Sequence, residues 1–194
     1  MPHGKLLIFT APSGAGKTTI VRHLLGKYGQ LSFSVSATNR PPRPGEEDGR
    51  DYYFLSTEEF ERRITAGDFV EYEEVYPGRF YGTLRSEIDR ILASGRSVVF
   101  DIEVKGATNL KKFFPDNSLA VFVAPPSPEV LFQRLRDRNT ESEDSLRVRI
   151  ARAGEELSYV NSFDRVLVND DLATALAEAE AIVGEFIGVM DAGE

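Results

Sequence analysis

The stretch Lys5-Leu-Leu-Ile-Phe-Thr-Ala-Pro-Ser-Gly-Ala-Gly-Lys-Thr-Thr-Ile20 decides the fold of this chain of 194 residues. Residues 6–9 are all apolar, which is typical of a strand buried on both faces of a parallel sheet. A loop of small residues follows the strand, and apolar residues at helical spacing begin at Ile20. A strand, a small-residue loop that ends in Lys17-Thr18, and a helix together predict a phosphate-binding P-loop.

The predicted phosphate loop comprises Ala11, Pro12, Ser13, Gly14, Ala15, Gly16, Lys17, Thr18 and Thr19. Small residues let successive backbone N–H groups approach a polyphosphate, and the helix N-terminus adds partial positive charge. We expect Lys17 to reach the β- and γ-phosphates of ATP and the Thr18 hydroxyl to ligate Mg²⁺. The usual motif opens with glycine where this chain has Ala11, and a glycine- and serine-rich turn that happens to contain lysine is the alternative.

The composition is that of an ordinary globular protein and excludes several classes of function. A net charge of −8 argues against nonspecific binding to nucleic acid or to an anionic membrane. The chain has no cysteine, which excludes disulfides, thiolate metal sites and cysteine nucleophiles. We find no signal-peptide pattern and no apolar run near the roughly 18 residues of a membrane span, and therefore expect a cytoplasmic protein.

Alternation of predicted strands and helices indicates an α/β fold. Apolar and hydroxyl residues alternate over 31–38, which predicts one half-buried strand. Further strands are predicted at 51–55, 69–75, 80–83, 97–102, 119–124 and 165–169. Helices are predicted after the P-loop, after the capping box Ser56-Thr-Glu-Glu59, over 84–92 and 106–113, from 128, near 143, and from 172 to about 190.

We expect one domain over residues 1–194, built on a P-loop core with a parallel sheet flanked by helices. The core is predicted to comprise residues 1–30 and 96–194. The β-rich block 31–95 interrupts the alternation and is predicted to be an insert that binds a nucleoside monophosphate. Residues from about 135 to 150 are predicted to form a lid. Two lobes beside one nucleotide site indicate a clamp that closes.

The loop Asn39-Arg-Pro-Pro-Arg-Pro-Gly-Glu-Glu-Asp-Gly-Arg50 presents two arginines three residues apart on a backbone held extended by prolines. The run Ser-x-x-x-Arg-x-x-Arg-x-Gly-Glu over 36–46, with Tyr-Gly-Thr at 81–83, is much more specific than a P-loop alone. On these motifs the chain resembles guanylate kinase over essentially its whole length. The other stretches that carry the resemblance are 11–18, 51–52, 69–72, 101–103 and 168–171.

The resemblance implies a GMP site lined by Ser36, Arg40, Arg43, Glu46, Tyr52, Glu71, Tyr81, Thr83 and Asp101. Guanidinium forks and phenol hydroxyls suit a phosphate dianion. The Glu71 carboxylate can accept from N1–H and the 2-amino group of guanine, while a hydroxyl from Ser36 or Thr83 serves O6. Taken singly, the arginines also fit a solvated turn, Glu71 a surface strand and the tyrosines the edge of a core. Their joint order and spacing favour the site.

On the ATP side, the resemblance implies that Arg134, Arg138 and Arg149 reach the phosphates and that Asn169 lies near the adenine. The implied catalytic residues are Lys17, Arg40, Arg134, Arg138 and Arg149. Asn139 stands where the family usually has glycine, and asparagine tolerates a left-handed backbone better than most residues. For these lid arginines, a charged helical hairpin with i,i+4 ion pairs is the alternative.

Asp101 ends an apolar strand, a pattern that holds Mg²⁺ opposite a P-loop either directly or through water. Together with Thr18 it forms the predicted metal site, and Glu103 has a weaker metal-linked role. A structural aspartate at a strand end is the alternative.

These expectations converge on an ATP-dependent kinase of purine nucleotide metabolism that converts GMP and ATP to GDP and ADP with Mg²⁺. Its predicted partners are these small molecules, with no nucleic acid or membrane partner and no indication of oligomeric state. The first rival is a non-catalytic peptide-binding module on the same fold. Such modules are expected to lose the P-loop lysine, which this chain keeps. A kinase of another phosphorylated small molecule is the second rival, and Ser36 and Glu71 disfavour it.

Overall fold

The computed structural model describes residues 4–137 and 143–189. Its main sheet has five strands in the order β2-β7-β1-β8-β9, and every neighbouring pair is parallel. The strands are β1 (Leu6–Thr10), β2 (Leu31–Phe33), β7 (Ser97–Asp101), β8 (Ser118–Ala124) and β9 (Arg165–Val168). All five residues of β1, the central strand, are buried, as expected for a strand covered on both faces.

Helices cover both faces of this sheet, which confirms the predicted α/β class. They are α1 (Lys17–Lys27), α3 (Arg85–Ala93), α4 (Val104–Phe113), α5 (Pro128–Asp137), α6 (Glu143–Leu157) and α7 (Leu172–Ile187). Because side chains alternate along β1, Leu7 and Phe9 join the core formed with α1, α5 and α7. Leu6 and Ile8 join the core formed with α3 and α4 on the opposite face. Within the described ranges, no helix is both long and apolar enough to cross a membrane.

A second, smaller sheet has the order β4-β3-β6-β5 and is joined by one helix. Its elements are β3 (Ala37–Thr38), β4 (Tyr53–Phe54), α2 (Thr57–Ala66), β5 (Phe69–Tyr76) and β6 (Arg79–Leu84). The predicted cap of α2 is present, since the Ser56 hydroxyl accepts from the Glu59 N–H at 3.1 Å. Gly67 ends the helix in a left-handed conformation with φ 74°.

The single strand predicted over 31–38 is wrong. Residues Leu31–Phe33 pair with β7 in the main sheet, whereas Ala37–Thr38 pair with β4 and β6 in the smaller one. The chain crosses between the sheets at residues 34–36 without losing its apolar–polar alternation, so the pattern could not reveal the change of sheet. The smaller sheet therefore spans residues 37–84, a narrower range than the predicted insert of 31–95.

Candidate nucleotide-binding site

The phosphate loop lies at the carboxyl end of β1 and leads directly into α1. Gly16, the residue before the helix, has φ 90°, and Gly14 has φ 95°, a region that favours glycine. The Asn169 amide donates to the Ala15 carbonyl at 2.8 Å. A side chain at Gly16 would collide with that amide. Small residues are thus needed here for the backbone conformation and for a close neighbour across the loop.

Lys17 and Thr18 both contact the carboxylate at the end of β7. The Lys17 ammonium lies 2.5 Å from Asp101 Oδ1 and donates to the Ile102 carbonyl at 2.9 Å. The Thr18 hydroxyl donates to Asp101 Oδ2 at 2.9 Å. The two oxygens proposed for a metal are therefore adjacent, at the site where a P-loop holds the outer phosphates.

The arginine loop packs against aromatic rings of the smaller sheet. Arg40 makes a bidentate pair with Glu46 at 2.6 and 2.7 Å, and its guanidinium lies 4.8 Å from the centre of the Tyr52 ring. Arg40 is only 9% exposed, which rules out the solvated turn for this residue. Hydrogen bonding to Arg40 lowers the pKa of Glu46 to about 2. Glu46 also accepts from the Arg43 N–H at 2.7 Å, so it organises both arginines.

Glu71 is buried on β5, which excludes the alternative of a surface strand residue. Its carboxylate accepts from the Thr83 hydroxyl at 2.5 Å. Burial raises the pKa of Glu71 to about 7, despite that hydrogen bond. Its other carboxylate oxygen faces Gly106 on α4, where an added side chain would collide with it. The residue is thus a desolvated acceptor held in one place, suited to a ligand that brings its own donors.

One cleft of about 260 Å³ between the two sheets is lined by most of the residues predicted for the GMP site and by some of those predicted for ATP. The predicted residues that line it are Ser13, Lys17, Ser36, Arg40, Arg43, Tyr52, Glu71, Tyr81, Asp101 and Arg149. Two residues of the predicted GMP site do not line this cleft. Thr83 is fully buried behind Glu71, and Glu46 lies behind Arg40.

The described lid residues contact the phosphate loop and the strand end beside it. Arg149 donates to the Ser13 hydroxyl at 2.8 Å. Arg134 donates to the backbone carbonyl of Asn169 at 3.1 and 3.2 Å. The Asn169 side-chain amide in turn donates a hydrogen bond to the Ala15 carbonyl. Arg138 and Asn139 lie outside the described residues.

Sequence reasoning missed a further group on α6. Arg152 donates to Glu156 at 2.9 Å and to Glu103 at 3.1 Å, so Glu103 is bound to an arginine of the lid helix. The available signal was helical spacing, because residues three and four apart share a face and Arg152 follows Arg149 by three positions. Sequence alone did not say which partners that face would meet.

A P-loop at the end of a parallel sheet, facing a second sheet with buried arginine and glutamate, defines the class of P-loop nucleotide kinases. Comparison with known proteins specifies the class further. The family model described as guanylate kinase matches residues 3–185. The chain belongs to the guanylate kinase family.

The sequences of curated relatives align with nearly the whole chain. The curated guanylate kinase of Bacteroides fragilis is 48% identical over 185 residues, covering 95% of this chain and 91% of the relative. That of Salinibacter ruber is 50% identical over 187 residues, covering 96% and 99%. A crystal structure of guanylate kinase from Anaplasma phagocytophilum superposes with a TM-score of 0.74 at 28% identity, covering 95% of this chain and 87% of that one.

Proposed function

We propose that this chain transfers the γ-phosphoryl group of ATP to GMP, giving ADP and GDP. The observation that carries the proposal is one cleft with Lys17 and Asp101 on one side and buried Arg40 and Glu71 on the other. A phosphate donor and a phosphate acceptor can both bind in such a cleft. The Glu71 carboxylate, which neither phosphate needs, can then select the base of the acceptor.

The smaller sheet supplies the GMP side. Arg40, Arg43, Tyr52 and Tyr81 bind the α-phosphate through charge-assisted hydrogen bonds, each worth about 1.5–3 kcal/mol. Glu71 accepts from N1–H and the 2-amino group of guanine. Because the Thr83 hydroxyl donates to Glu71, we assign Thr83 to positioning that carboxylate, and Ser36 is then the hydroxyl that lines the cleft near the base.

The phosphate loop supplies the ATP side, and its residues fit Mg²⁺. Thr18 and Asp101 offer hard oxygens beside each other, and among the described residues no cluster of three or more acidic or histidine side chains could hold a metal alone. Mg²⁺ commonly takes one or two protein oxygens and completes its shell with substrate phosphates and water. When bound it would neutralise charge on the phosphates. Thr18 and Asp101 are the residues that would hold it.

The chemistry needs no side-chain general base, because the acceptor phosphate oxygen is already ionised at neutral pH. Lys17 and Arg149 neutralise charge that develops during transfer, and Arg40 holds the acceptor in line. Closure of the lid and the smaller sheet excludes water that would otherwise hydrolyse ATP. We further propose a cytoplasmic location, where both nucleotides occur.

The test is ADP release measured with GMP, AMP, CMP and UMP as acceptors at equal concentrations. We expect turnover with GMP and a rate lower by about 10⁴-fold with AMP, because a site built on polar complementarity leaves its buried carboxylate unpaired with the wrong base. Equal rates with two or more monophosphates would contradict guanine selection. Absence of turnover together with peptide binding would favour the non-catalytic module instead.

A further inference from the structure

Helix α6 carries an arginine, Arg152, whose guanidinium joins three separate segments. It donates to the backbone carbonyl of Val75 on β5 at 2.9 Å. The central carbon of the guanidinium, Cζ, lies 5.3 Å from the centre of the Tyr76 ring. Arg152 also donates to Glu103, immediately before α4, at 3.1 Å. All its partners except Glu156 belong to other elements, so this side chain connects the lid helix to the smaller sheet and to the end of β7.

The same helix also contacts the phosphate loop. Arg149, one turn earlier, donates to the Ser13 hydroxyl at 2.8 Å. Glu156, one turn later, holds the Arg152 Nε at 2.9 Å and accepts from the Ser13 N–H at a long 3.4 Å. Burial raises the pKa of Glu156, with the nearby charge of Glu103 adding to the effect. Within two turns, α6 therefore contacts both β5, through Arg152, and Ser13, through Arg149 and Glu156.

We propose that Arg152 is a positioning residue that couples the GMP-binding sheet to the ATP-binding loop through α6. This inference rests on the proposed function, which places GMP on the smaller sheet and ATP at Ser13. GMP that draws β5 toward the core strengthens the Arg152 contacts and seats α6 against the phosphate loop. Linkage requires that ATP strengthen GMP binding by the same factor.

The geometry is specific to arginine. Its planar fork directs three nitrogens at a carbonyl and two carboxylates while its face lies against Tyr76. Lysine presents one ammonium with no planar face, so it cannot reproduce the whole set. The side chain is also largely shielded, with 21% of its surface exposed. An exposed ion pair would contribute little to coupling.

Calorimetry measures four dissociation constants for each protein, one for each nucleotide in the absence and in the presence of the other. GMP and a non-hydrolysable ATP analogue are each titrated alone and then with the other nucleotide saturating, in the parent protein, Arg152→Ala and Arg152→Lys. The control is Arg62→Ala. Arg62 is an exposed arginine on α2, beside the smaller sheet, and its ion pair with Glu59 stays within that helix. Thermal unfolding and kcat are recorded for every variant.

In the parent and in Arg62→Ala, we expect each nucleotide to tighten the other about fivefold or more. In Arg152→Ala the single-nucleotide affinities stay within about threefold, while the mutual tightening falls below about twofold and kcat drops. In Arg152→Lys the coupling free energy between the two nucleotides should fall by at least half. This variant provides the test if the alanine variant does not fold. An uncoupled parent, or a lysine variant coupled as strongly as the parent, would overturn the proposal. Failure of the parent to bind GMP at all would instead refute the proposed function.

Discussion

The two sheets of this protein differ in how they are buried. The five-stranded sheet is covered on both faces, and its central strand contributes four apolar residues with at most 1% exposure. The four-stranded sheet has one small core of Ala37, Phe60, Phe69 and Leu84. Its cleft-facing side carries Arg40, Glu71 and tyrosines instead of apolar residues.

From this difference we expect the five-stranded sheet to be a rigid platform and the four-stranded sheet to move more easily. Hydrophobic burial stabilises by roughly 25 cal/mol per Å² of apolar surface, so the larger core resists deformation far more than the smaller one. The phosphate loop is built on the rigid sheet. We propose that base recognition takes place on the small sheet, whose cleft-facing side carries Arg40 and Glu71.

The largest effect is expected on the rigid side. Lys17→Ala should lower kcat by about 10²–10³-fold, the usual cost of removing one donor that stabilises developing charge. GMP affinity should stay within about threefold, because Lys17 serves the phosphate loop. Steady-state kinetics and GMP calorimetry measure the two quantities. The control is Lys27→Ala, on the same helix but paired with Glu180. Activity of the Lys17 variant within threefold of the parent would remove this loop from the mechanism.

On the movable side, Glu71→Ala should cost about 2–4 kcal/mol in kcat/KM for GMP, judged from two charge-assisted hydrogen bonds. The loss for AMP should be far smaller, because AMP presents an acceptor at N1 to the carboxylate. The GMP/AMP ratio of kcat/KM therefore collapses. A ratio that survives the substitution would move base selection to Ser36 or Thr83.

The junction between the sheets depends on Glu87, which is 2% exposed. It accepts from the Val35 N–H at 3.2 Å, where the chain crosses between sheets, and from the Tyr53 hydroxyl at 3.0 Å. Glu87→Ala leaves the buried Val35 N–H and the half-buried Tyr53 hydroxyl without this partner, and should lower the free energy of unfolding by about 1–3 kcal/mol. Asp89→Ala, at an exposed position of the same helix, should change it by less than about 0.5 kcal/mol. Chemical denaturation measures the free energy of unfolding of both variants. Equal losses would show that Glu87 does not stabilise the junction between the sheets.

The pKa of Glu71 predicts a pH dependence confined to the small sheet. In the free protein this pKa is about 7, and guanine donors favour the ionised form, so bound GMP lowers it. GMP affinity should therefore rise with pH through this window, by about tenfold from pH 6 to pH 8, with proton release from Glu71 near pH 7.

The GMP phosphate itself titrates near pH 6, so the contribution of Glu71 must be isolated. Glu71→Gln keeps the shape but cannot titrate, and its remaining slope reports the phosphate alone. Calorimetry in buffers of different ionisation enthalpy counts the protons. Identical slopes for the parent and the glutamine variant would show that Glu71 does not titrate on binding.

The smallest effect is expected at Ala11, the departure from the usual P-loop. Ala11 is buried in the core shared by α1 and α5, and Gly14 and Gly16 already supply the positive-φ conformations of the loop. Ala11→Gly should therefore change kcat by less than about threefold. A gain above about tenfold, equivalent to about 1.4 kcal/mol, would show that the Ala11 methyl strains the loop.

The sequence by itself determined the local features. The P-loop is a contiguous motif between a strand and a helix, so its glycines, Lys17 and Thr18 could be named in advance. The strand–helix alternation of the core was likewise readable, because each element carries its own periodicity. The cap at Ser56 and the stop at Gly67 follow from neighbouring residues alone. The predicted roles of the site residues remain predictions, although the structure brings most of the predicted GMP-site residues to one cleft.

The tertiary structure decided what depends on distant partners. It divided residues 31–38 between two sheets, which the unbroken alternation concealed, and it buried Glu71 beside Thr83 and Gly106. Nothing in the sequence around Arg152 indicates that its guanidinium meets Val75 and Glu103. The physical reason is common to all three cases. Backbone pairing, desolvation and hydrogen-bond geometry between residues 12 or more positions apart arise only when the chain has folded, whereas periodicity and capping act within a few residues.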